Sequence, residues 1–202
     1  MQPFVFEQTK DGDVIVDVFS RLARDRILFI AEDITSEVAT TIVATLLFLD
    51  AQNKDPITIY ISSDGGSVDA MLTILDAFEM VESPIHTCCF GSSASAATII
   101  LSAGDVRFIL PNAKIMVHSM QISEMSGSAP EIEKETQRII QMNNKILERL
   151  AINTGKSLDK IKKLCEHDYY FTAQEAIKFG LVDYIVKPKK NKLSKGKKKS
   201  RK

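Results

Sequence analysis

Three side chains of the sequence could together perform nucleophilic catalysis: a serine, a histidine and an aspartate. Ser95 lies in a run of small residues, 91–97, between two apolar stretches, where a strand, a tight turn and a helix start would present one side chain to a cleft. His118 follows the apolar run 115–117, and Asp168 lies farther along the chain. A serine hydroxyl needs a base to take its proton, and a carboxylate fixes the tautomer of a histidine base. The order serine, histidine, aspartate is therefore compatible with acyl transfer at Ser95.

Each of these residues also has an ordinary structural explanation. Serines at helix starts are commonly N-caps. Asp168 directly precedes Tyr169 and Tyr170, where it could cap a turn. Spacing along the chain does not bring the three side chains together in space, so the hypothesis depends on other features of the sequence.

A glycine pair, Gly65 and Gly66, follows the apolar run 57–61. Glycines between a strand and a helix let the backbone approach a ligand and leave N–H groups free at the helix start. Such donors could stabilise the oxyanion of an acyl-transfer intermediate. The alternatives are a turn with phosphate affinity or a turn with no ligand. The spacing matches neither a P-loop nor a dinucleotide-binding fingerprint, which argues against nucleotide binding.

Short apolar runs alternate with helical patterns, which predicts an α/β fold with a largely parallel sheet. The predicted buried strands are 26–30, 57–61, 85–89, 106–109, 115–118 and 184–186. The predicted helices are 37–49, 67–81, 95 to Gly104, 130–153 ended by Gly155, and a short helix opened by a capping box at Thr172 and ended by Gly180. Near the start, residues 3–9 favour a short strand and Asp11-Gly12 a turn.

The composition is that of a globular protein with a core: 202 residues, 45% hydrophobic and 26% charged. We expect one domain over residues 1–186, no membrane segment and no secretion signal, and hence a cytoplasmic protein, with an organelle matrix or stroma as the alternative. Cys88, Cys89 and Cys165 give neither a disulfide framework nor a metal-ligand spacing, so we expect reduced, structural cysteines and no metal.

The net charge of zero conceals a basic tail at residues 187–202. These residues include ten of the 26 Lys and Arg residues and none of the 26 Asp and Glu residues, so the first 186 residues carry a net charge of −10. Such a tail cannot bury apolar surface, and we expect it to be disordered. It predicts at most weak contacts with nucleic acid, or a targeting role.

Together these segments resemble the Clp protease family, the ClpP-type proteolytic subunits of ATP-dependent proteases. The resemblance runs from about residue 3 to residue 186. It rests on ordered motifs that read here Phe6-Glu-Gln-Thr, Phe19-Ser-Arg-Leu, Leu47-Phe-Leu-Asp, Ser63-Asp-Gly-Gly, Gly91-Ser-Ser-Ala-Ser-Ala-Ala, Leu110-Pro-Asn, Ile115-Met-Val-His, Thr154-Gly, Thr172-Ala-Gln-Glu-Ala and Gly180-Leu-Val-Asp.

The resemblance implies a crotonase-like fold of repeated ββα units, with a protruding handle helix in the region 119–153. It implies a serine endopeptidase with Ser95, His118 and Asp168 as the catalytic triad. The backbone N–H groups of Gly66 and Ala96 would form the oxyanion hole. The chain itself would need no cofactor, because ATP would be used by a partner.

The resemblance also implies an assembly. Two stacked seven-membered rings would enclose a chamber, with residues 1–13 as an axial loop. An AAA+ unfoldase of the ClpX, ClpA or ClpC type would dock outside and thread unfolded protein substrates inward. The residues implied for the docking cleft are Tyr60, Met80, Cys88, Phe90, Phe108, Leu110 and Val186.

Several positions depart from the family pattern. Asp64 replaces a proline before the glycine pair, Ala96-Ala97 replaces Met-Gly, the segment 119–123 lacks the usual Gln-Pro and glycine pair, and His167 replaces an arginine. A weakly active or structural ClpP-like subunit of a mixed ring is therefore an alternative. A crotonase-fold acyl-CoA enzyme and a standalone phage-type maturation protease are the others.

Overall fold

The computed structural model describes residues 3–9, 12–122 and 125–187, and the elements below are those of these ranges. The strands are β1 (Phe4–Thr9), β2 (Gly12–Asp17), β3 (Ile27–Ile30), β4 (Ile57–Ser63), β5 (Ile85–Ala94), β6 (Val106–Ile109), β7 (Lys114–Val117), β8 (Tyr169–Thr172) and β9 (Tyr184–Ile185). The helices are α1 (Val18–Arg24), α2 (Ser36–Gln52), α3 (Val68–Met80), α4 (Ala96–Ser102), α5 (Ala129–Thr154), α6 (Leu158–Leu164) and α7 (Ala173–Phe179). Lys187 apart, the basic tail predicted to be disordered lies outside the described residues.

The first two strands form a separate antiparallel hairpin in which Phe4 lies opposite Asp17. The strand predicted at 3–9 is confirmed. Of the predicted turn, Asp11 lies outside the described ranges and Gly12 begins β2. The carboxylate of Asp17 caps α1 by accepting from the N–H groups of Phe19 and Ser20. Sequence patterning missed α1, because this short helix buries none of its residues and so carries no amphipathic signal.

The main sheet has seven strands and is mostly parallel, as the strand–helix alternation predicted. The parallel path is β3-β4-β5-β6-β9, while β7 pairs with the far end of β5 and β8 runs antiparallel to β7. Side chains on β4 alternate between the two faces of the sheet. Ile57, Ile59 and Ile61 are fully buried on the inner face, whereas Tyr60 on the opposite face is half-buried.

Helices cover the inner face of the sheet and enclose one continuous hydrophobic cluster that extends from Leu28 to Val182. The long helix α5 contributes to it only near its C-terminus, where Leu147 and Leu150 are buried. Its first four turns bury none of their side chains. The handle in the region 119–153 stays a prediction. The mixed α/β architecture agrees with the fold class predicted from the sequence.

The differences from the sequence prediction include two boundaries and two further elements. Strand β5 continues to Ala94, five residues past the predicted end, and α4 ends at Ser102, before Gly104. Gly104 is required for close packing, because a Cβ there would lie 2.6 Å from Oγ1 of Thr87. Helix α6 and strand β8 were not predicted; α6 is short and β8 exposes two of its four residues' aromatic rings, Tyr169 and Tyr170.

Candidate active site

Ser95 joins β5 to α4 in a backbone conformation that side-chain-bearing residues rarely adopt. Its φ is 54° and its ψ is −124°. Such conformations persist only where the surrounding structure enforces them, and here the N–H of Ser95 donates to the carbonyl of Met116 at 3.1 Å. Although Ser95 occupies the N-cap position of α4, its hydroxyl makes no capping hydrogen bond. The alternative explanation of a simple helix cap is therefore wrong, and the residue lines a cavity instead.

The glycine pair brings a second backbone segment against this serine. A Cβ on Gly65 would lie 2.8 Å from the Cβ of Ser95, and a Cβ on Gly66 would lie 2.5 Å from the carbonyl oxygen of Ile34. Both glycines have positive φ values, 110° and 146°. Hydrogen bonds from Ile34 N–H to the Gly65 carbonyl and from Ser67 N–H to the Ile34 carbonyl hold the loop in place. Only glycine therefore fits at both positions.

Two backbone N–H groups are available beside Ser95. The N–H of Gly66 donates to no group in the described ranges. Ala96 is the first residue of α4, and N–H groups in a first turn have no acceptor within their helix. Gly66 and Ala96 line the same cavity as Ser95. Donors arranged in this way can stabilise negative charge on a carbonyl oxygen under attack by the serine.

The pairing of β7 with β8 brings His118 beside Asp168. Val117 and Tyr169 form the last pair of that ladder, and His118 and Asp168 are the next residues outward. The distance from Nδ1 of His118 to Oδ1 of Asp168 is 4.0 Å, longer than a hydrogen bond. Nδ1 is completely buried and has no hydrogen-bond partner among the described residues. The carboxylate of Asp168 thus faces an unsatisfied nitrogen of His118. A movement of about 1 Å would bring the two groups within hydrogen-bond distance.

These groups share one cavity of about 420 Å³. Its polar lining includes Asp64, Ser95, His118 and Asp168. The structure thus brings together the five residues for which the resemblance implied a role in catalysis.

The remaining lining of this cavity is apolar and comes from several elements: Val68 and Met71 of α3, Ile99 of α4, and Leu147 and Leu150 of α5. In the sequence, the apolar residues of α3 and α5 recur at helical spacing and form hydrophobic stripes. That spacing does not distinguish residues that line a cavity from residues that pack in the core. No pattern identified them as cavity residues, because a stripe that lines a cleft has the same spacing as one that packs against a sheet.

A second surface, the outer face of the sheet, is rich in aromatic side chains. Strand register places Phe29, Tyr60, Cys88, Phe108 and Tyr184 side by side across five parallel strands. The rings of Phe29 and Tyr60 stack at 5.4 Å, and those of Phe108 and Tyr184 lie 5.7 Å apart. We call this row the aromatic face.

The residues implied for the docking cleft are distributed on and around the aromatic face. Phe90 contacts the ring of Tyr60 at 6.2 Å, and Leu110 follows β6. Met80 and Val186 are exposed, by 66% and 37%, whereas Cys88 is only 3% exposed. Phe29 and Tyr184 belong to the same row but were missed, because neighbouring positions on parallel strands are far apart in sequence.

The three cysteines are free and buried, in agreement with the sequence prediction. Burial raises the pKa of Cys88 and of Cys165 to about 11 and that of Cys89 to about 12, so none of them is a reactive thiolate near neutral pH. Within the described ranges, no group of three or more His, Cys, Asp or Glu side chains could hold a metal ion. Across these same residues, no helix combines the length and apolar character of a membrane span.

Comparison with known proteins adds to this geometry. A family model described as Clp protease matches residues 10–189. The ATP-dependent Clp protease proteolytic subunit 1 of Bacillus cereus is 40% identical over 190 residues, which cover 93% of this chain and 98% of that protein. The match includes the serine junction, the glycine pair and the β7–β8 ladder. The chain therefore belongs to the Clp protease family.

Proposed function

We propose that the chain is a serine endopeptidase, the proteolytic subunit of an ATP-dependent Clp protease, which hydrolyses unfolded polypeptides to short peptides. The observation that carries the proposal is one cavity lined by Ser95, His118, Asp168, Gly66 and Ala96. A crotonase-type acyl-CoA enzyme would use carboxylates as acid and base. A hydroxyl and an imidazole in the same cavity favour the peptidase.

In this mechanism Oγ of Ser95 attacks the carbonyl carbon of the scissile peptide bond while Nε2 of His118 takes the hydroxyl proton. The carbonyl oxygen becomes an oxyanion that accepts from the N–H groups of Gly66 and Ala96. When the intermediate collapses, the C–N bond breaks and His118 gives its proton to the departing amine. Water then attacks the acyl-enzyme by the same route, which releases the acid and restores Ser95.

Asp168 acts on the base in this mechanism. Its carboxylate accepts from Nδ1–H of His118, which fixes the tautomer that leaves Nε2 free to accept a proton, and stabilises the imidazolium. The apolar lining, such as Val68, Met71 and Leu147, receives the side chain of the residue before the scissile bond. Burial of that side chain holds the substrate carbonyl against Ser95.

The subunit acts within stacked heptameric rings in the cytoplasm. An AAA+ unfoldase docks in a cleft lined by Tyr60, Met80, Cys88, Phe90, Phe108, Leu110 and Val186, three of which belong to the aromatic face. Substrate enters past the axial loop proposed for residues 1–13, of which 1, 2, 10 and 11 lie outside the described residues. ATP is hydrolysed by the unfoldase, and this chain uses no cofactor. Tyr184, exposed by 58%, and the half-buried rings of Phe29, Tyr60 and Phe108 support such a docking role, since apolar surface patches mark interaction sites.

The protein should be an oligomer in solution. Large apolar side chains are exposed in distant parts of the chain: Phe4 by 65%, Phe6 by 77%, Phe48 by 63%, Ile140 by 55% and Ile152 by 76%. Ring assembly would bury such surface. Multi-angle light scattering at micromolar concentration should give a mass many times the 22.5 kDa of one chain. A stable monomer would contradict the ring.

The family match does not favour the alternative of a weakly active subunit in a mixed ring. The one observation that bears on this alternative is the 4.0 Å gap between His118 and Asp168. His167, where the family usually has an arginine, is exposed beside Asp168. A neutral imidazole supplies weaker charge-assisted hydrogen bonds than an arginine fork. The isolated protein would then populate an unaligned triad, which a partner subunit or the unfoldase would shift toward the aligned state.

His167→Arg should therefore raise the peptidase activity of the isolated protein several-fold, because an arginine can pair across the ring interface and hold Asp168 in register. His167→Gln, which adds no charge, is the matched control and should leave activity near the wild-type value. Activity of the wild type should also rise with added unfoldase. If the isolated wild type is fully active and His167→Arg does not change that activity, this alternative is excluded.

The proposed function itself is tested with two substrates. The assembled protein should hydrolyse a short fluorogenic peptide without ATP, because a short peptide diffuses through an axial pore. It should degrade unfolded casein rapidly only when an AAA+ unfoldase and ATP are present. Failure to hydrolyse either substrate in the presence of unfoldase and ATP would overturn the proposal.

A further inference from the structure

We propose that Asp64 is a specificity-determining residue whose carboxylate favours substrates with a lysine or arginine directly after the scissile bond. The inference rests on the proposed peptidase function, and it concerns the position at which this chain carries aspartate where the family usually has proline. It assigns a role to a side chain that the mechanism above does not use.

The first support is position. Asp64 lines the same cavity as Ser95 and His118. The next residue, Gly65, makes the closest approach to the serine, with only 2.8 Å from a Cβ built on Gly65 to the Cβ of Ser95. Asp64 is therefore one peptide unit away from the segment in contact with the nucleophile, close enough for its charge to act on a bound substrate.

The order of residues along the loop gives the side of the substrate that Asp64 faces. The N–H of Gly66 is the candidate oxyanion donor, and the apolar residues Val68 and Met71 follow it. Asp64 precedes Gly66 in the chain, whereas Val68 and Met71 follow it, and we therefore assign the carboxylate to the side of the reacting carbonyl away from the apolar wall. Because the apolar wall takes the residue before the scissile bond, Asp64 faces the residue after it.

The second support is that the carboxylate of Asp64 has no other partner. The hydrogen bond that closes the turn comes from Ser63, whose hydroxyl accepts from the N–H of Gly65 at 3.1 Å. Across the residues that the structure describes, the Asp64 side chain makes neither a hydrogen bond nor an ion pair, and it is exposed. Because Ser63 already closes the turn, the turn does not require an acidic side chain at position 64.

The third support is the charge of the cavity. Its described lining includes two carboxylates, Asp64 and Asp168, and no lysine or arginine. Lys160 and Lys163 line a separate groove together with His167 and Asp168. A cleft lined by one sign of charge concentrates groups of the opposite sign. The negative charge of Asp64 is thus left for the substrate.

The experiment is a competition among three peptides that carry an apolar residue before the scissile bond and are identical except for the residue after it. The residue after that bond is Lys, Gln or Glu, and mass spectrometry of one mixture gives the ratio of kcat/KM values. The assembled wild type should cleave the Lys peptide about tenfold faster than the Glu peptide, a ratio that falls at 0.5 M salt. Asp64→Asn should bring the ratio to within about twofold of unity.

Asp69→Asn is the matched control. Asp69 is an exposed aspartate in the first turn of α3 that does not line the cavity, so its loss removes the same charge nearby and should leave the ratio unchanged. Both kcat/KM values in a ratio come from the same enzyme variant. A change in overall rate caused by Asp64→Asn therefore cancels in the ratio. Equal ratios for wild type and Asp64→Asn, or a charge preference at another substrate position, would overturn the role of Asp64. Cleavage of none of the peptides would instead contradict the peptidase function.

Discussion

Ser95→Ala is expected to lower the rate of peptide hydrolysis by about 10⁴-fold or more, the size of effect seen when a triad nucleophile is removed. Without Oγ no acyl-enzyme can form, and the remaining oxyanion donors and cavity give only residual catalysis. The fold should be unaffected, since the hydroxyl caps no helix and the backbone geometry of Ser95 is held by the hydrogen bond to Met116. The measurement is fluorogenic peptide turnover, with thermal unfolding in parallel.

The matched control for this variant is Ser36→Ala. Ser36 is an exposed serine at the start of α2 and does not line the cavity. It should keep wild-type turnover. Comparable turnover by wild type and Ser95→Ala would mean that the nucleophile lies elsewhere.

Gly66→Ala is expected to have the second largest effect, a loss of about 10²-fold or more in kcat. The new Cβ would lie 2.5 Å from a backbone oxygen of Ile34, and φ is 146°, where a side chain is strained. The loop must therefore shift, and the N–H of Gly66 moves away from the oxyanion. Stability should also fall by about 2 kcal/mol, because the shift breaks the hydrogen bonds with Ile34.

Gly155→Ala separates these two effects. Gly155 ends α5 with φ 66°, but a Cβ there has nothing within 4 Å. Its replacement should cost about 1 kcal/mol in stability through backbone strain alone and leave kcat unchanged. The activity of Gly66→Ala, measured on the folded fraction, should be far below that of Gly155→Ala. Equal kcat values would exclude Gly66 as an oxyanion donor.

The longer strands and helices could be predicted because their sequence patterns are local. The β-branched run of β4 predicts a buried strand. The capping box at Ser128 and Glu131 and the αL glycine Gly155 define both ends of α5. Two of the elements that patterning missed, α1 and β8, lie at the surface and bury few of their side chains, so no hydrophobic period reveals them.

The candidate site was predictable in residue type but not in geometry. Motifs around Ser95 and His118 identified the chemistry, yet the 4.0 Å separation of His118 and Asp168 depends on how β7 meets β8. The apolar lining was invisible for a different reason, because Met71 and Leu150 come from helices that are distant in sequence. Close backbone approach, such as that of Gly65 to Ser95, is a property of tertiary packing alone.

The central claim is that Ser95 is the nucleophile of an acyl-transfer reaction in the assembled protein. The most direct measurement is to treat the assembled protein, with its peptide hydrolysis monitored, with a fluorophosphonate and to locate the adduct by peptide mass spectrometry. The expected result is one phosphonylated residue, Ser95, with activity lost in proportion to labelling and no adduct in Ser95→Ala. If Ser95 stays unmodified in protein that hydrolyses the peptide, this would contradict the role of Ser95 as the nucleophile.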